Sequence, residues 1–177
     1  MKRKAVFFDR DGTLNPDPGY INDPNEFNLF PGVPEALQDL KKLGYLLILV
    51  TNQSGLGRQL IVPRNLCLIH NKLQSELELK NASFDRIFLC PHKPEDGCEC
   101  RKPKPGLALR AISSMNIDPS SSYMVGDKES DVQMAQAAGL RPILIGQKKP
   151  ARFKEIVMVN NVRDAVNHII ERDRRKK

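Results

Sequence analysis

Apolar residues in this chain fall in short blocks separated by amphipathic stretches. Ala5 to Phe8 and Tyr45 to Val50 are near-continuous apolar runs, and shorter ones follow at Arg86 to Leu89, Tyr123 to Val125 and Pro142 to Ile145. Runs of this length bounded by turn residues read as buried strands. Between them, apolar side chains recur at helical spacing: Val33, Leu37 and Leu40 before Gly44, then Leu66, Ile69, Leu73 and Leu77. Ala108, Ala111, Ile112 and Met115 mark another helix, a further one runs from Lys128 through Ala138, and Val162, Val166, Ile169 and Ile170 close the chain. Strands alternating with helices predict an α/β fold, a Rossmann-like three-layer sandwich with a mainly parallel sheet. At 177 residues the chain is long enough for one full core, so residues 1–177 are expected to form a single domain.

Composition changes this picture little. The chain is 40% hydrophobic and 28% charged, without Trp, and its longest apolar run is far too short to span a membrane. Without a signal peptide, a cytoplasmic location is expected. The net charge of +7 suits an anionic partner, either nucleic acid or a phosphorylated small molecule. Much of that excess lies in the tail from Arg172 to Lys177, which reads as a solvated end. Cys67, at an apolar helix position, is expected to be a buried core residue.

The other three cysteines crowd into CPHKPEDGCEC, residues 90–100. Cys90, His92, Cys98 and Cys100 are spaced C-x-H-x5-C-x-C, a Cys₃His set suited to tetrahedral Zn²⁺. Pro91, Pro94 and Gly97 break regular structure, so the ligands sit on a loop that folds back on itself. The alternatives are free thiols or a disulfide, the latter rare in a cytosolic setting. Four protein ligands leave no open position, so this zinc is expected to be structural.

In parallel sheets the site lies at the carboxyl ends of the strands. There the first strand ends in Asp9-Arg10-Asp11-Gly12-Thr13, the second in Thr51-Asn52-Gln53-Ser54-Gly55 and the fourth in Gly126-Asp127-Lys128. Carboxylates held together repel one another, and a hard cation such as Mg²⁺ is their natural counter-ion. A carboxylate can also attack phosphorus, and a second one two residues on can move the proton.

These residues resemble the four motifs of the haloacid dehalogenase-like phosphatases, in order: Asp9 to Leu14, then Thr51, then Lys102, then Gly126-Asp127 with Asp131 following. The resemblance spans nearly the whole chain. It is closer still to one branch, the heptose 1,7-bisphosphate phosphatases and their histidinol-phosphate relatives, whose C-x-H…C-x-C loop runs likewise into Cys100-Arg101-Lys102-Pro103. The resemblance implies that Asp9 is the nucleophile and an Mg²⁺ ligand. Asp11 becomes the general acid/base with its carbonyl on the metal, and Asp127 the remaining ligand. Thr51 and Lys102 would hold the transferring phosphoryl group. Arg101, with Asn52, Gln53 and Ser54, and also Lys128, would face the substrate. Asp131 is either a supporting acid behind the site or an exposed helical one. The zinc loop becomes a staple that presents Arg101 and Lys102.

Only about twenty residues separate Asp11 from the first helix, so no room remains for a cap domain, and an open site on a monomer is expected. Specificity then falls to short loops, chiefly Asp17-Pro18-Gly19-Tyr20, which resembles the sugar-contacting loop of the heptose enzymes. The short spacer from Lys93 to Gly97 looks more like the histidinol-phosphate relatives. Removal of the 7-phosphate from heptose 1,7-bisphosphate is the favoured expectation, with histidinol phosphate as the alternative. A nucleic-acid 3′-phosphatase would need an aromatic and basic stripe, and aromatics are only 6% of the chain. A zinc-binding module without catalysis would have no use for Asp9 and Asp11.

Overall fold

The computed structural model describes residues 2–147, 151–153 and 155–175. Lys176 and Lys177 of the basic tail lie outside them. Six strands form one parallel sheet: β1 (Ala5–Phe8), β2 (Leu46–Asn52), β3 (Arg86–Cys90), β4 (Tyr123–Gly126), β5 (Arg141–Ile145) and β6 (Val157–Val159). Their order is β3-β2-β1-β4-β5-β6. The chain winds outward from β1 through β2 to β3, then crosses back to β4. The crevice at that reversal, above the ends of β1 and β4, is where such sheets bind ligands.

Alternation along the strands builds two cores. Val6, Phe8, Leu47 and Leu49 face α1 (Val33–Lys42), α3 (Pro63–Glu78) and α6 (Val162–Arg174). Ala5, Phe7, Ile48 and Val50 face α4 (Gly106–Ser114) and α5 (Glu129–Ala137). The central strands β1 and β2 are thus buried on both faces, which explains their unbroken apolar runs. Between β1 and α1 there is only a loop with one 3₁₀ turn, Pro24–Glu26, so no cap domain stands there.

Three expectations need correction. A short helix, α2 (Ser54–Gly57), follows β2 in addition to α3. The sheet has a sixth strand, whose three half-buried residues carry too little apolar pattern to stand out. Cys67 is exposed, because it lies about 100° around α3 from the buried stripe of Leu66, Ile69, Leu73 and Leu77. No helix among the described residues is long and apolar enough to cross a membrane.

Candidate active site

A cleft of about 430 Å³ opens at the carboxyl ends of β1, β2 and β4. Its walls include Asp9, Asp11, Asp17, Gly19, Tyr20, Thr51, Asn52, Ser54, Arg101, Lys102 and Lys128. Nearly every residue expected at the site therefore meets in one place. Ser130, in the first turn of α5, also lines it and was not anticipated.

At the floor, Lys102 is almost fully buried, and its amine reaches Asp9 Oδ1 at 2.8 Å and Asp131 Oδ1 at 2.7 Å. It also donates to the Val50 carbonyl at 3.0 Å. Burial works against this charge, but Asp131 and Asp9 outweigh it and hold the ammonium above its usual range. Burial pushes Asp9 up to about 6, opposed by Lys102 and assisted by Asp131. Both contacts to Asp9 fall on Oδ1, the second being the Arg10 N–H at 2.7 Å.

Asp131 is a buried supporting acid, resolving the two alternatives left by the sequence. Besides its ion pair with Lys102, it accepts from the Lys128 N–H at 3.0 Å, closing the first turn of α5. The side chain packs so close to Gly126 that a Cβ there would collide with it. Gly12, at φ +85°, stands equally close to the Asp127 carboxylate. These two glycines let the strand ends approach the acids, a requirement visible in the sequence only as G-D and D-G pairs.

Asp9, Asp127 and Asp131 bring one carboxylate oxygen each within 4.8 Å of one another. Burial, then the charge of Asp9, raises Asp127 above the ordinary carboxylate range. Hard oxygen donors whose charges oppose one another fit Mg²⁺. Since Asp131 is committed to Lys102 and to the α5 cap, Asp9 and Asp127 are the pair best placed to hold it.

Asp11 is held differently. Its Oδ1 accepts from Arg10 Nε and Asn15 Nδ2, both at 2.9 Å. Its Oδ2 accepts from Arg10 Nη2 at 2.8 Å and Gln53 Nε2 at 2.9 Å. Burial disfavours its charge, yet Arg10 and these donors hold the carboxyl below the ordinary range. Gln53, expected to touch substrate, is instead buried behind the cleft wall, where Nε2 joins Asp11 to the Thr51 hydroxyl at 2.9 Å. Because Thr51 Oγ1 accepts that bond, its own proton remains available to a phosphoryl oxygen.

Asn52 also has a second task. Its Oδ1 accepts from the Lys102 N–H at 3.1 Å, and its Nδ2 donates to the Lys102 carbonyl at 3.2 Å. The end of β2 therefore clamps the backbone that carries the lysine. At the rim, Lys128 Nζ bonds Asp17 Oδ2 at 2.8 Å, while Asp17 Oδ1 accepts from the Gly19 N–H at 3.0 Å. This pair ties the loop carrying Gly19 and Tyr20 to α5. Burial works against Lys128, but Asp17 and the nearby acids keep its charge favoured.

Below the rim, the ligand atoms of Cys90, His92, Cys98 and Cys100 lie within 4.8 Å of one another. Cys90 Sγ stands 3.2 Å from Cys100 Sγ and 3.6 Å from both Cys98 Sγ and His92 Nδ1. A tetrahedral Zn²⁺ with bonds of ~2.3 Å sets its sulfurs roughly 3.8 Å apart, so the cluster fits it with a slight expansion. The cluster reaches the cleft through Arg101, whose Nη1 donates to the His92 carbonyl at 3.3 Å. Gln53 N–H donates to the Cys90 carbonyl at 2.7 Å, and Gly57 N–H to that of Pro91 at 3.0 Å.

The HAD-hydrolase-like family profile matches residues 99–166. A D-glycero-beta-D-manno-heptose-1,7-bisphosphate 7-phosphatase of Pasteurella multocida is 43% identical over 84% of this chain and 84% of its own length. The protein of that name from Vibrio cholerae is 38% identical over 96% of this chain and 98% of its own. Among solved structures, the D,D-heptose 1,7-bisphosphate phosphatase of B. bronchiseptica, complexed with magnesium and phosphate, superposes with a TM-score of 0.87. It is 30% identical and covers 96% of this chain and 99% of its own.

Proposed function

This chain belongs to the heptose-bisphosphate phosphatases of the HAD-like hydrolases, and on that premise we propose that it removes the 7-phosphate of D-glycero-D-manno-heptose 1,7-bisphosphate through an aspartyl-phosphate. The observation that carries this reading is the Asp9–Lys102–Asp131 arrangement at the floor of an open, polar cleft. Lys102 occupies Asp9 Oδ1, so Oδ2 is the oxygen left to attack phosphorus. A P–Oδ2 bond forms as the bond from phosphorus to the sugar oxygen breaks, and Asp11, entering the step protonated and made a strong acid by the Arg10 fork, gives that oxygen its proton. Asp11 then takes a proton from water as the water oxygen attacks phosphorus, freeing Asp9 and releasing inorganic phosphate. Thr51 and Lys102 offer donors to the charge that develops on the phosphoryl oxygens.

Asp9 and Asp127, with the Asp11 carbonyl that the resemblance implies, would hold Mg²⁺, which would supply positive charge against the transferring phosphoryl group. Zn²⁺ on Cys90, His92, Cys98 and Cys100 is assigned a structural role that holds the Arg101-Lys102 segment. Arg101, Lys128, Ser54 and the Asp17–Tyr20 loop surround the remainder of the substrate, a phosphorylated small molecule rather than a nucleic acid.

The test is a side-by-side measurement of kcat/KM on heptose 1,7-bisphosphate and histidinol phosphate. Preference for the bisphosphate by at least about tenfold is expected. The short zinc spacer is the one feature that favours the histidinol ester, and preference for that ester would overturn the substrate assignment. Beryllium fluoride, an acyl-phosphate mimic, should inhibit the wild type; with Asp9→Asn, turnover and binding of beryllium fluoride should both vanish, and substantial residual activity would refute the covalent route.

A further inference from the structure

Arg10 lies between the two acids at the end of β1, yet its side chain is wholly buried. The guanidinium turns away from the substrate and under α3. Two of its nitrogens fork onto the two oxygens of Asp11, at 2.9 and 2.8 Å. The third, Nη1, meets His70 Nε2 at 3.3 Å, and the Phe27 ring lies 6.0 Å away. Neither Arg10 nor His70 is on the cleft wall, and the mechanism above uses neither.

We propose that His70 is a positioning residue for this phosphatase, anchoring the Arg10 fork and through it the plane of the Asp11 carboxylate. An arginine has only donors, so His70 Nε2 accepts and the imidazole proton sits on Nδ1. Burial, reinforced by the charge of Arg10, holds His70 down at about 4, which keeps it the neutral acceptor that this contact needs. Two bonds to one carboxylate fix the relative tilt of fork and acid, but leave both free to swing together on their stems. Asn15 and Gln53 restrain that swing from the Asp11 side. His70 restrains it from the other end, from a helix sixty residues away in sequence. A charged donor left buried without an acceptor is costly, so loss of His70 favours rotation of the fork towards another partner, carrying Asp11 with it. Proton transfer tolerates little misplacement, and the Asp11 carboxylate is assigned no substrate-holding role, so the loss falls on kcat rather than KM.

The inference rests on the reading of Asp11 as the proton-transfer group, and a matched pair of variants tests it. His70→Gln can place Oε1 near the position of Nε2 and restore an acceptor. His70→Leu fills similar space without one. Steady-state release of phosphate is measured on whichever of the two esters the wild type turns over faster, so a wrong substrate is read separately from a wrong role for His70. We expect His70→Leu to lose about tenfold in kcat with KM within twofold of wild type, and His70→Gln to stay within about threefold in kcat. A role in packing alone would make the two variants alike. Equal losses in both, a loss confined to KM, or full kcat in His70→Leu would overturn the proposal. Should His70→Leu fail to fold, Arg10→Lys carries the same test, since it keeps the charge but lacks the fork. It is expected to lose at least about tenfold in kcat at unchanged KM, and wild-type kcat would overturn the proposal.

Discussion

Asn52→Ala separates a clamp from a substrate contact. The wild-type amide makes two hydrogen bonds to the backbone of Lys102, at 3.1 and 3.2 Å, and both disappear in the variant. A neutral hydrogen bond contributes about 1 kcal/mol net. Asn52 is only half-buried, so water recovers part of this, and a loss of about 1–2 kcal/mol is expected. In a domain of this size each kcal/mol lowers Tm by roughly 2–4 °C, which gives a fall of about 2–8 °C. The larger consequence is catalytic. Lys102 reaches Asp9 and Asp131 at 2.8 and 2.7 Å, and a displacement of about 1 Å in such a group can cost ~100-fold in rate. Urea unfolding with steady-state kinetics should show a lower midpoint, a kcat reduced about ten- to hundredfold and little change in KM. If Asn52 instead serves the substrate directly, KM rises while the unfolding midpoint and kcat stay at wild-type values. That outcome would refute the clamp.

Three further predictions concern other parts of the structure. Cys98→Ser should release zinc on mild chelation, lower stability and reduce kcat through Arg101 and Lys102, whereas brief chelation of the wild type should stop activity reversibly while zinc remains bound. Full activity in a zinc-free, normally stable preparation would contradict the staple. Arg101→Ala should lose about ten- to hundredfold in kcat/KM on the bisphosphate and clearly less on a small monophosphate ester, while Lys102→Ala damages both alike; equal losses in Arg101→Ala would remove it as the discriminating contact. The third is a pH effect. His70 is held near 4 in the fold against about 6.5 in the unfolded chain, so between these values the unfolded chain binds the extra proton. Stability from this group is therefore complete above about 6.5 and is lost as pH falls towards 4. Urea midpoints across that window should decline less steeply in His70→Leu than in the wild type.

Much of this molecule is legible in the chain because its signals are local. Spacing of two or three residues identifies Asp9 and Asp11, and spacing within eleven residues identifies the zinc cluster. Unbroken apolar runs mark β1 and β2 because both faces of each are covered. The rim residues follow from chain direction, since in a parallel sheet every strand ends on the same side. What escaped the sequence depends on which way a side chain points once distant elements pack. Arg10 has no role assigned by the sequence until α3 brings His70 over it. Asp131 reads equally as a supporting or an exposed helical acid until Lys102, delivered by the zinc loop, is buried against it. Gln53 looks like a substrate contact but is buried behind the wall, and Asn52, which does line the cleft, also holds the Lys102 backbone. Cys67 shows the same limit, since one helical step separates the buried stripe from solvent. The sequence by itself determined which chemistry gathers at the sheet end, because catalytic types and spacing are written in neighbouring residues. Only the tertiary structure decided which groups hold the others in place, because a buried charge takes the partner that packing brings to it, whatever its distance along the chain.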